Sequence, residues 1–149
     1  MEVENKLKAM GLELPRAGTS PPGRAGAVKV GNLLFVGGHT PGAEFRGKLG
    51  ADITVEHGYE GAKQAMLACL ADVKAAIGDL DKVKQVAKLL CMVNCLPDFG
   101  QQPQVANGAT DLLSELYGNA GAHARSAVGM GSLPNQACIE IEMIIEVAN

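Results

Sequence analysis

The chain has 149 residues and a formal net charge of −3, with 13 Lys and Arg dispersed among 16 Asp and Glu. That length suits one domain covering 1–149, and cations without a cluster argue against nucleic acid, which has to be met by grouped Lys and Arg. No Trp and few other aromatics leave a core of Val, Leu, Ile, Met and Ala, supplemented by large sheet or subunit contacts.

Residues 1–10 are mixed-charge and amphipathic and predict a short helix. They open an N-terminal extension and connector over 1–26, whose second half, Pro15–Gly26, is rich in Pro and Gly. The run from Ala27 to Pro41 reads as two strands joined by a turn at Gly31-Asn32. A polar, glycine-punctuated loop follows to Asp52, with room for a short extra strand. From Thr54, a suitable N-cap, the period changes: Tyr59, Ala62, Met66, Leu70, Val73 and Ile77 recur at three- and four-residue spacing, and Gly78 can end the helix. Val83–Cys95 is long and apolar enough for a central strand. A second helix is marked by Val105, Ala109, Leu112, Leu113 and Leu116, closing at Gly118. The stretch Gly121–Pro134 supplies the next strand and Ala137–Val147 the last.

That last strand alternates. Ala137, Ile139, Ile141, Met143, Ile145 and Val147 take one face, and Cys138, Glu140, Glu142, Ile144 and Glu146 the other. The order β-β-α-β-α-β-β predicts an α+β fold, with one sheet and two helices packed on one side. The face they leave uncovered mixes Ile144 with glutamates and could include Arg125. Such a face is commonly buried against another subunit, so a homo-oligomer is expected.

Several sites are set aside. The N-terminus lacks the apolar region of a signal peptide, and no stretch of about eighteen uncharged apolar residues occurs. A cytoplasmic protein with no membrane partner is expected, its four cysteines (Cys69, Cys91, Cys95, Cys138) reduced. Cys91 and Cys95 lie in a strand-like run and read as core thiols. His39, His57 and His123 do not join cysteines at zinc-ligand spacing, so no metal or cofactor is expected. Ser126 and His123 lack an acid partner and a nucleophile elbow.

Three features could carry chemistry. Arg125 stands among small residues; it could pair with Glu140 or Glu142 on the next strand, or act as a carboxylate receptor, since a guanidinium matches a carboxylate two-for-two. Glu140 could be a solvated strand residue or a carboxylate that positions water and moves a proton, and alternation alone does not rank it above Glu142. Gly37 and Gly38 could mark a strand bend or admit a ligand to the backbone. Asn107 and Asp111 share a helix face, where a surface or capping role is the default for both.

Taken together, three stretches resemble the YjgF-like family, also called Rid (reactive intermediate deaminase). "VGNLLFVGGHTP" is similar to the family's strand-turn-strand, G-N-x-(I/L)-x-x-S-G-x-x-P. "ARSAVGMGSLPNQACIEIEMIIEV" is similar to its closing signature, R-S followed by a Leu-Pro turn and a Glu-containing strand. "LPDFGQQPQVANGATDLLSELYG" with "HARSAVG" resembles a longer subgroup described as endoribonuclease- or translation-inhibitor-like. The resemblance runs from Leu12 to Val147.

It implies a chorismate-mutase-like fold and a homotrimer with ligand clefts between subunits. It also implies cofactor-free hydrolysis of 2-imino or enamino acids to 2-keto acids and ammonia. The family's carboxylate-binding arginine falls on Arg125, its water-associated glutamate on Glu140, and its serine-glycine pair on Gly37 and Gly38. Its tyrosine falls on Arg24, its cysteine on Ala127, whose backbone carbonyl remains, and its helix asparagine on Asn107. A serine, a tyrosine and a cysteine are thus replaced. Two readings follow: a deaminase acting on a small carboxylate, or a trimer that binds a 2-imino or 2-keto acid without turnover. A ribonuclease or translation inhibitor is a third, against which the negative charge and absent basic patch weigh.

Overall fold

The structure is a computed structural model that describes Met1–Asn149. The elements are α1 (Glu2–Ala9), β1 (Ala27–Val30), β2 (Leu33–His39), α2 (Val55–Ile77), β3 (Val83–Asn94), α3 (Gln102–Tyr117), β4 (Ala124–Met130) and β5 (Ile139–Val147). They build an α+β fold with three helices and one mixed five-stranded sheet in the order β1-β2-β5-β3-β4. Only β3 and β4 are parallel, because α3 forms the crossover between them. β5 inserts between β2 and β3, antiparallel to both.

The local signals act where expected. Gly31, at φ +60°, turns β1 into β2. Thr54 Oγ1 accepts the His57 N–H at 3.1 Å and starts α2, while Gly78 at φ +86° ends it. Helices α2 and α3 bury their apolar stripes against one sheet face, onto Leu34, Val36, Leu89, Cys91, Ile141 and Met143. The two helices cross closely at Gly108, where a Cβ would lie 1.9 Å from the Tyr59 carbonyl oxygen. The short α1 buries Val3 and Leu7 against this layer, and the Asp81 carboxylate accepts its Glu2 and Val3 amides.

Two sequence expectations are corrected. The loop 42–52 forms no strand; it holds a single helical turn at Ala43–Phe45 and isolated bridges from Arg46 to Ala137 and from Leu49 to Cys95. The last strand begins at Ile139, since Asn135 and Gln136 adopt φ +56° and +58° and break the extended path. Cys138 therefore leaves the outer face and is fully buried on the helix side, with Sγ 2.9 Å from where a Gly61 Cβ would be.

The other sheet face is uncovered, as the two-helix layout requires. On it Val28, Val30, Leu33, Phe35 and Val128 are each at least 39 % exposed. A groove of about 390 Å³ runs across this face between Phe35, Lys88, Leu90, Ser126, Glu142 and Ile144.

Candidate functional site in two halves

Arg125 lies on β4, a sheet edge. Its register partner Leu89 also pairs with Met143, and both are buried under the helices, so Arg125 belongs to the helix side. Glu140 and Glu142 alternate with Ile141 and Met143 and belong to the opposite face. The strand-to-strand ion pair is therefore not formed, and Arg125 is not part of the uncovered face. Its Nη1 instead donates to Asn107 Oδ1 and Thr110 Oγ1, both at 2.9 Å, from two residues on one face of α3.

The chain of contacts continues with a definite polarity. His123 Nδ1 is 2.7 Å from the Gly121 carbonyl, which can only accept, so Nδ1 carries the hydrogen. Nε2 stands 3.0 Å from the Thr110 hydroxyl, and the Thr110 oxygen receives the Arg125 hydrogen. Asn107 and Thr110 together occupy both hydrogens of Nη1. The Nε–Nη2 edge of the guanidinium has no partner in the chain; it is the edge that suits a carboxylate. Arg125 lines an opening of about 500 Å³ together with Asn107, Thr110, Ser114, Asn119 and Ala122.

The small β4 residues around it provide no second nucleophile or acid. Ala127, in register with Cys91, packs on the core. Burial pushes the Cys91 thiol up to about 11 against the opposing pull of the Arg125 charge. It pushes the Cys138 thiol to about 11 as well, and raises that of Cys69. Cys91 and Cys95 are the core thiols the sequence suggests. Ser126 points the other way, to Lys88 Nζ at 3.2 Å, so it and His123 do not meet. Asp111 accepts from the Tyr59 hydroxyl at 2.7 Å, which holds that phenol up at about 12.

The second half forms at the end of β2. The β2–β5 register shifts between Val36 and His39, and the irregularity is Gly37-Gly38. A Cβ on Gly38 would lie 2.1 Å from Glu140 Oε2, so glycine is what lets this carboxylate rest over the bend. Glu142 instead lines the apolar groove; of the two glutamates, Glu140 is the one at the glycine pair. Gly37 N–H donates to the Gly26 carbonyl at 3.0 Å and ties the connector to β2. Between them opens a polar cleft of about 250 Å³, lined by Thr19, Ser20, Arg24, Gly37, Gly38 and Asp72 among others. In it His39 Nε2 stands 2.8 Å from Asp72 Oδ2 and Nδ1 2.7 Å from the Gly37 carbonyl. The ring is thereby held between the β2 backbone and α2.

Arg24, Gly37 and Gly38 are thus brought to one cleft with Glu140 against Gly38, while Arg125, Asn107 and Ala127 gather elsewhere. In the order β2-β5-β3-β4 the two halves are three strand spacings apart, about 14 Å. Sequence reasoning missed Thr110, His39 and Asp72 and assigned His123 nothing. Thr110 carried one usable signal, its position one turn after Asn107.

The family described as "YjgF/chorismate_mutase-like, putative endoribonuclease" matches residues 4–147. Protein TCP17 of Trypanosoma cruzi is 39% identical over 99% of this chain and 95% of its own length. The RutC family protein y4sK of Sinorhizobium fredii is 30% identical over 89% of this chain and 97% of its own. The crystal structure of Atu1372, a protein of unknown function from Agrobacterium tumefaciens, superposes with a TM-score of 0.91 at 38% identity, covering 98% of this chain and 92% of that one.

Proposed function

Because the chain belongs to the YjgF/chorismate-mutase-like (Rid) family, we propose that it is a homotrimer that hydrolyses 2-imino or enamino acids to 2-keto acids and ammonia. The cleft is completed between protomers, where the Arg125 half of one meets the glycine half of another. The observation that carries this reading is the guanidinium of Arg125, half-occupied by Asn107 and Thr110 and with its carboxylate-matching edge free. The apolar uncovered face and the separation of the two halves support assembly.

In the reaction Arg125 holds the substrate carboxylate. Water adds to the imine carbon, Glu140 accepts a proton from it, and the C=N electron pair goes to nitrogen. Glu140 returns the proton to nitrogen, giving the neutral carbinolamine; it then takes the hydroxyl proton and passes it to the amino nitrogen, so the C–N bond breaks, ammonia leaves and the ketone forms. Backbone groups at Gly37, Gly38 and Ala127 hold the polar intermediate, and Asn107 keeps Arg125 aimed. Imines hydrolyse unaided in water, so positioning and one proton relay suffice.

A second reading, a trimer that binds the keto acid without turnover, is favoured by Gly37 and Ala127, which lack the hydroxyl and thiol of the family pattern. The test couples an amino-acid oxidase to the protein and follows imine decay. Acceleration that is lost in Arg125→Ala, with keto-acid affinity down about 100-fold, supports the deaminase. Unaccelerated decay with keto-acid binding retained leaves the binding trimer, and neither effect overturns both.

A further inference from the structure

We propose that this cleft is built for a substrate with two anionic ends, Arg125 receiving the carboxylate beside the imine and Arg24 the one at the far end. The proposal rests on the reading above and goes beyond it in substrate class. The substrates are imines of 2-oxo dicarboxylates.

Arg24 stands in the connector but is not loosely held. Pro21, Pro22, Gly23 and Arg24 form a closed turn: Arg24 N–H donates to the Pro21 carbonyl at 3.2 Å and Gly23 has φ +88°. Proline at the second position and glycine with positive φ at the third are what a type II turn requires. Two residues further on, the Gly37 amide holds the Gly26 carbonyl. The Arg24 backbone is therefore pinned on both sides beside the mouth of the polar cleft.

Its charge is unanswered within the chain. No hydrogen bond and no acid within ion-pair distance involves the Arg24 guanidinium, although Asp72 lines the same cleft. Asp72 is committed to His39 at 2.8 Å. Gly26 makes this possible, since a Cβ there would lie 2.3 Å from Asp72 Oδ2. The rest of the lining consists of Thr19 and Ser20 hydroxyls, glycine backbone and one apolar side chain, Ala25. An alkyl substrate tail would find almost no apolar surface here, whereas a carboxylate finds a cation and donors.

The test titrates the intact protein with 2-oxoglutarate and with 2-oxovalerate, which have the same carbon count but differ by the far carboxylate. The expected result is at least about tenfold tighter binding of 2-oxoglutarate. Arg24→Gln brings the ratio of the two affinities near one and Arg24→Lys keeps part of it. Arg24 is exposed, so both variants fold, which circular dichroism checks. Equal affinities in the wild type, or a ratio that Arg24→Gln leaves intact, overturn the two-anion proposal while the Arg125 site stands. Failure of both acids to bind, with imine decay in Arg125→Ala indistinguishable from wild type, overturns the proposed function as well.

Discussion

Arg125 and Arg24 put the same chemical group at opposite edges of one sheet and hold it by different means. Arg125 is half-buried on β4, and its guanidinium is aimed by side chains, Asn107 and Thr110 directly and His123 behind them. Arg24 is exposed, its side chain makes no hydrogen bond or ion pair, and it is placed by the backbone: a proline-glycine turn on one side and the Gly37–Gly26 hydrogen bond on the other. Polar deletions should therefore damage the first arginine, and backbone substitutions the second. The general lesson is that a guanidinium can be pre-oriented by saturating part of its donor set or by fixing the chain that carries it. The first costs burial and partners, the second only turn chemistry.

The largest break separates the halves altogether. Phe35→Glu charges the uncovered face at a residue 41 % exposed. It should leave the helix-side core folded, drive the protein to monomer in light scattering, and abolish keto-acid binding to the limit of titration. A monomer that still binds would show that one half suffices. Next is Gly38→Val. The new side chain displaces the Glu140 carboxylate, whose flexible end can move without unfolding the sheet. Imine turnover should fall by about 100-fold, the low end of what a general acid–base group contributes, with kcat affected more than KM; a kcat like that of wild type would remove Glu140 from the water-steering role.

Thr110→Val sharpens the contrast between the two arginines. It deletes the hydroxyl that joins Arg125 to His123, and one lost charge-assisted bond is worth about 1.5 kcal/mol, or roughly tenfold in affinity. Mono- and dicarboxylates should weaken alike, whereas Arg24 variants act on their ratio. The smallest effect belongs to Gly23→Ala. Nothing lies within 4 Å of the added methyl, so the strain at φ +88° is the whole cost. That is about 1 kcal/mol, read as a modestly lower Tm and a few-fold loss of dicarboxylate preference. An unchanged preference would mean that the turn does not position Arg24.

What was legible in the sequence was local. Thr54 and Gly78 bound α2, Gly31 turns the hairpin, and β5 announces its buried face by strict alternation, because each of these signals is complete within a few residues. Alternation failed at Cys138 because two consecutive positive-φ residues, Asn135 and Gln136, sit just upstream and are neither glycine nor otherwise marked. The side on which Arg125 points was hidden for a different reason. β4 is composed of small residues on both faces, so its pattern does not say which is inward. Its partners Asn107 and Thr110 come from another element, and nothing in the order of strands shows that β5 inserts between β2 and β3. The His39–Asp72 pair spans β2 and α2 and left no trace in spacing. The family likeness singled out Arg125, Glu140 and the glycine pair as candidates; which of them share a protomer's cleft depends on strand order.

That strand order has a consequence for mass action. In the proposed trimer, a ligand gripped by the β4 edge of one protomer and the β2 end of another would be at once substrate and bolt. By linkage, whatever factor assembly adds to ligand affinity, the ligand adds to assembly. For the proposed trimer, dilution would behave as an inhibitor and the ligand as its antidote, so specific activity would rise with the abundance of protein and ligand alike.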